Sequence, residues 1–168
     1  MKIIFLVDKE QNVLDQTTAL HIDTTHVSWG PALWQQFSQW FVAHTGKFPV
    51  TGKTAYGTMC ELLAKAWLYA SGGALRFDYP LAHLHPEYQT QWLRLLTQIP
   101  SIQTVYIVTS SPVLINCVGY LIALGNLKVE QASVCVFSGD TMHEYRYDGG
   151  GFLVDWPLGY FIPSYVAH

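Results

Sequence analysis

From Leu95 to Leu127 the chain carries no charged residue, and this stretch constrains the fold more than any other. Its length would suit a membrane span. However, Thr109-Ser110-Ser111-Pro112 interrupts it and Asn116 follows. The part before the break is rich in β-branched residues, and the part after it has helical character. A buried strand feeding a buried helix accounts for both halves. The pattern therefore predicts strand 103–108 and helix 111–124, ended by Gly125-Asn126.

The same alternation extends on either side. Residues 74–77 form a short apolar strand reaching Asp78, and Pro86 opens a helix to about residue 98. Strand, helix, strand and helix imply a parallel βαβ core. Residues 133–137 and 143–147 read as strands around Ser138-Gly139-Asp140, an antiparallel hairpin near the C-terminus. Gly149-Gly150-Gly151 reads as a flexible joint before an aromatic tail. Upstream, residues 2–7 (KIIFLV) form a strand, and residues 13–22 a second one across a turn at 8–12, giving a hairpin. Gly30-Pro31 starts a helix on which Leu33, Trp34, Phe37, Phe41 and Val42 recur at helical spacing, ended by Thr45-Gly46. Another helix runs from about residue 56 to 69 and stops at Ser71-Gly72-Gly73. No repeat or linker divides the chain, so residues 1–168 are expected to form one α/β domain.

Composition narrows the function. Half of the residues are hydrophobic and 12% are charged, against about 25% charged in typical soluble domains. Six Trp and ten Tyr add to this. A partly apolar or neutral polar surface, suited to a protein partner, is the expectation. With a net charge of −3 and scattered Lys and Arg, no basic stripe suits a phosphate backbone, so nucleic-acid binding is not expected. Cys60, Cys117 and Cys135 lie far apart and have neither metal nor disulfide spacing. Buried thiols in a reducing compartment follow. The apolar run in MKIIFLVDKE is too short for a signal-peptide core, so a cytoplasmic protein without a membrane span is expected.

Gly52-Lys53-Thr54 invites a phosphate-loop reading. Such a loop needs Gly-x-x-x-x-Gly-Lys-Ser/Thr between a strand and a helix. Here Gly46 stands one residue too far upstream, Pro49 cannot donate an N–H, and a helix precedes the loop. An ordinary loop is the simpler reading.

The segment Leu75-Arg76-Phe77-Asp78-Tyr79-Pro80-Leu81-Ala82-His83-Leu84-His85-Pro86 resembles the h-h-h-E/D-x-P-E-x-H-L-H-P segment of the SMC/ABC-type AAA ATPases. Residues 104–116 (TVYIVTSSPVLIN) resemble that family's Q-V-I-V-T-T-H-S-P-x-L-I/L-N, and residues 151–161 (GFLVDWPLGYF) resemble the G-x-L-x-x-W-P-x-G-F-F ending of a bacterial branch. Tyr56-Gly57 stands where a remnant of the family's signature segment would fall. The resemblance covers residues 50–165 in order and implies a fold like the C-terminal lobe of a P-loop ATPase. Residues 1–50 resemble nothing specific.

In that family the first acid helps hold magnesium, the acid after the proline polarises the attacking water, and the switch histidine contacts the γ-phosphate. In this chain Asp78 keeps the first place, Leu81 replaces the second acid, and Ser110 replaces the histidine. The nucleotide-gripping first half, with its strand and phosphate loop, is missing from the resemblance. Leucine cannot act as a general base. The resemblance thus implies a catalytically inactive ATPase-like subunit that needs no cofactor and acts through protein contacts. Its partner would be an ATPase, an effector or a second copy, in defence or DNA-maintenance complexes. The alternative is an active NTPase with Gly52, Lys53 and Thr54 on phosphate and Asp78 on magnesium.

Simpler readings attach to the retained residues. Asp78 suits a cap at the strand's end. His83 and His85 would face one side of an extended stretch, a conceivable zinc pair with no third ligand indicated. Ser111 suits an N-cap, with Pro112 at the first helical position. Trp156, Tyr160 and Phe161 are candidate interface aromatics.

Overall fold

β3 (Leu75–Asp78) and β4 (Thr104–Val108) lie side by side in parallel register, with Leu75 opposite Val105 and Asp78 opposite Val108. α3 (Pro86–Leu96) joins them, so the βαβ unit expected from the sequence is present. These contacts come from a computed structural model, which describes residues 1–8, 19–23 and 29–156 of the chain.

The sheet has six strands in the order β2-β3-β4-β1-β5-β6, where β1 is Lys2–Asp8, β2 Leu20–Ile22, β5 Ala132–Ser138 and β6 Thr141–Arg146. All neighbours are parallel except β5 and β6, which form the antiparallel hairpin anticipated near the C-terminus. The fold is therefore α/β, with a mixed, mostly parallel sheet. α1 (Pro31–Thr45) and α2 (Ala55–Leu68) precede β3, and α4 (Pro112–Ala123) precedes β5. No helix among the described residues is long and apolar enough to cross a membrane.

The expected hairpin between the first two strands does not form. β1 pairs with β4 on one side and β5 on the other, while β2 pairs in parallel with β3 at the sheet's edge. Part of that reading, residues 9–18, lies outside the described residues. The reason lies in KIIFLV itself. A hairpin arm alternates apolar and polar residues, but this run is apolar on both faces, as a central parallel strand is. Phe5 and Val7 face the main core, and Ile4 and Leu6 face a second cluster with Tyr79, Tyr106, Val108, Cys135 and Phe137.

β1 and α1, both within the first fifty residues, are thus built into the core. β1 holds the centre of the sheet, and Phe37 and Phe41 of α1 are fully buried. α1 begins with Pro31 at its first turn and ends on Gly46, whose φ of 72° allows its N–H to bond the Val42 carbonyl.

Gly149–Gly151 is a packed turn rather than a joint. The Asp148 carboxylate accepts from the N–H groups of Gly150 and Phe152, and Tyr147 bridges to Leu153. The buried Tyr147 hydroxyl donates to the Ile115 carbonyl of α4 at 2.8 Å. Gly151 has φ +83° and lies so close to α4 that a Cβ there would stand 2.0 Å from the Gly119 carbonyl oxygen. Only glycine satisfies both conditions.

Candidate functional site at the strand ends

In open parallel sheets, ligand sites form at the carboxyl ends of the strands. Here those ends bring Asp8, Asp78, Tyr79 and Thr109 to one edge of the sheet. Burial raises the Tyr79 phenol above its ordinary value, and the Asp8 and Asp78 carboxylates add to that. The Tyr79 N–H donates to the Val108 carbonyl, and that of Thr109 to Leu6, so the ladder continues past the strands.

Asp78 does not act as the turn cap suggested by its position. Its Oδ1 accepts from Arg76 Nε at 2.8 Å, and its Oδ2 from the second guanidinium nitrogen at 3.3 Å. His21 Nε2 of β2 lies 3.4 Å from the same Oδ2. Residues 76 and 78 share a strand face because side chains alternate, but their pairing was not read from the sequence. The His21 contact had no sequence signal, because its strand is three residues long and its partner strand is distant in the chain.

Beside this pair lies a cavity of about 270 Å³ lined by His21, Asp23, Leu62, Asp78, Tyr79 and His83, among others. Leu81 forms part of its wall and is 1% exposed. Tyr79 and Leu81 both take left-handed backbone conformations, with φ of 48° and 56°. Such conformations are strained for side-chain-bearing residues and persist only when the surroundings hold them. Burial of the Leu81 side chain provides that hold. The turn is completed by N–H bonds from Ala82 to Tyr79 and from Leu84 to Leu81. The position that resembles the water-polarising acid is therefore a core position.

The turn also separates the two histidines, which do not share the face of an extended strand. His83 lines the cavity, whereas His85 is the N-cap of α3, its Nδ1 accepting from the Glu87 N–H at 3.1 Å. No group of three or more metal-ligating side chains converges among the described residues. Ser111 caps α4, its Oγ accepting from the Val113 N–H, with Pro112 at the first position. Ser110 is exposed beside it.

Gly52, Lys53 and Thr54 lie elsewhere. They are exposed in the loop between α1 and α2, and the Thr54 hydroxyl is occupied as the α2 N-cap, accepting from the Gly57 N–H at 3.0 Å. Gly57 is closely approached there, since a Cβ would stand 3.0 Å from both the Gly52 carbonyl oxygen and Thr54 Oγ1. Leu62 lines the Asp78 cavity and lies eight residues beyond Thr54 on α2, about 12 Å along the axis. None of the three loop residues lines that cavity.

Lys65 is a site-adjacent residue without a sequence signal. Its buried ammonium donates to the Asp23 carbonyl at 2.7 Å and pairs with the Asp23 carboxylate at 3.5 Å, tying α2 to the end of β2. A second, larger groove of about 750 Å³ runs between the end of α1, α3 and α4, past Lys47, Glu87, Arg94 and Gln98. It contains none of the candidate site residues read from the sequence. Trp156 packs edge-on against Tyr145 with centroids 5.1 Å apart, while Tyr160 and Phe161 lie outside the described residues.

Compared with protein-family models, characterised proteins and solved structures, the chain matches none of them.

Proposed function

We propose that this protein is a catalytically inactive, ATPase-like interaction subunit that works through protein contacts in the cytoplasm. The observation that carries the reading is the occupancy of the strand-end site. Both oxygens of Asp78 are held by Arg76, and the neighbouring position for a base is filled by buried Leu81. A carboxylate engaged by a guanidinium is a poor magnesium ligand, and a buried alkyl group can neither orient water nor take its proton. Three free, buried cysteines fit a reducing compartment. The low charge of the chain fits a surface used for protein contacts, in an assembly of the defence or DNA-maintenance kind.

Phosphate release from Mg-ATP, with Lys53→Ala as the control, tests this reading. The expected result is no turnover above buffer for either protein. Turnover that disappears in Lys53→Ala would instead support an NTPase using Gly52, Lys53 and Thr54 with Asp78.

A further inference from the structure

The groove between the end of α1, α3 and α4 gathers polar side chains that the fold does not use. Lys47, Glu87 and Arg94 line it, and none of them takes part in an ion pair among the described residues. The side-chain polar groups of Thr90, Gln91, Gln98 and Asn126 likewise make no hydrogen bond within the described residues. The strand ends are the opposite case, since Arg76 and Lys65 are both engaged there by carboxylates.

α3 supplies most of this lining. Glu87, Thr90, Gln91, Arg94 and Gln98 recur every three or four residues, so they form one row along the helix. Trp92, Leu93 and Leu96 on its other side are fully buried. Leu95 and Leu121 also line the groove and are buried, which gives it an apolar floor. Glu87 stands in the first turn of α3 and Arg94 two turns later, about 10 Å along the axis. A single ligand thus meets a carboxylate and a guanidinium at separate points. The volume of about 750 Å³ falls in the range of small-molecule sites.

The chemistry of the lining selects the ligand. Lys47 and Arg94 together match the charge of a phosphate monoester, about −1.5 to −2 at neutral pH, and a guanidinium meets phosphate with two parallel N–H groups. Sugar hydroxyls donate and accept, as do the threonine hydroxyl and the glutamine and asparagine amides, while Glu87 accepts. Among the described residues the one ring in the lining is His44. It is already stacked on Trp40 with centroids 4.6 Å apart, and its Nδ1 is bonded to the Trp40 carbonyl at 2.8 Å. A nucleobase therefore finds no stacking platform.

We propose that this groove binds a sugar phosphate. The phosphate takes Lys47 and Arg94, and the hydroxyls take Glu87, Thr90 and the amides of Gln91, Gln98 and Asn126. Neither Asp78 nor the loop at Gly52–Thr54 lines the groove, so the proposal stands apart from the inactive-subunit reading.

Titration of glucose 6-phosphate into the isotope-labelled full chain, followed by amide NMR, tests the site. Saturable binding is expected, with a dissociation constant at or below about 1 mM. The side-chain amide signals of Gln91, Gln98 and Asn126 should shift. Arg94→Gln and Lys47→Gln should each weaken binding at least about fivefold. Lys53→Gln, at an exposed lysine outside the groove, should leave it unchanged. Glucose and inorganic phosphate should each bind more weakly than the ester, and AMP no more tightly than inorganic phosphate. Lys47 and Arg94 are both exposed, so signals distant from the groove should match wild type in every variant. Absence of saturable shifts up to about 10 mM would overturn the proposal. So would a loss of binding in Lys53→Gln without one in Lys47→Gln or Arg94→Gln, tighter binding of AMP than of glucose 6-phosphate, or inorganic phosphate binding as well as the ester.

Discussion

Arg76 and Asp78 are joined by two N–H···O contacts, at 2.8 and 3.3 Å, across the end of β3. The Arg76 side chain is 6% exposed and that of Asp78 19%. Removing one partner leaves the other charge poorly solvated. Arg76→Leu is expected to cost about 2–3 kcal/mol. The Arg76→Leu/Asp78→Leu double variant should recover part of that loss. Urea unfolding of the two single variants and the double variant checks the coupling.

The turn after β3 supplies a second test. Leu81 is 1% exposed and lies in a left-handed conformation. Leu81→Glu recreates the acid of the resembling motif but buries a carboxylate. It should destabilise by about 3 kcal/mol or more at neutral pH. The loss should shrink as the pH falls and the buried carboxyl takes up a proton. Leu81→Met should cost less than about 1.5 kcal/mol. Thermal melts across pH 5–8, together with phosphate release, distinguish this from a gain of activity.

Gly151→Ala tests the docking of the C-terminal turn on α4. The added Cβ would stand 2.0 Å from the Gly119 carbonyl oxygen at a φ of +83°. A loss of about 2–4 kcal/mol is expected, from overpacking and backbone strain together. Gly149→Ala, where nothing lies within 4 Å of the added Cβ, should be close to neutral by the same melt.

Burial pushes the Cys117 thiol up to about 11 from an ordinary value of 9.0. The folded state therefore keeps a proton that the unfolded state loses above pH 9. This contribution to stability is fully present below about pH 9 and is lost as the pH rises toward 11. Unfolding midpoints measured from pH 8 to 11 should fall over that window, and less steeply in Cys117→Ala. All three cysteines are buried, so the native protein should react slowly with thiol reagents at pH 8.

The parts of the fold legible in the sequence were the local ones. The α3 and α4 starts were marked by His85-Pro86 and Ser111-Pro112, and β3 and β4 by short apolar runs. The placement of β1 depends on partners about 100 residues away, and no local pattern encodes which edge a strand joins. Its apolar residues on both faces are those of a central strand, and they outweigh the turn-like residues that follow it and had suggested a hairpin. At the strand ends, Arg76 and Asp78 share a strand face by simple alternation, but their pairing was not read from the sequence, where Asp78 suggested a cap. The His21 and Lys65 contacts required the fold, because each crosses between elements far apart in the chain. The role of Leu81 as a buried strut was hidden because its motif position suggested chemistry rather than packing.

Single-turnover hydrolysis of γ-labelled ATP, with protein in excess and magnesium present, tests the central claim most directly. The occupied Asp78 and the buried Leu81 predict phosphate release at the rate of buffer alone, unchanged in Asp78→Asn. Release faster than buffer that is lost in Asp78→Asn would contradict the account, because it would make Asp78 a magnesium ligand rather than the partner of Arg76.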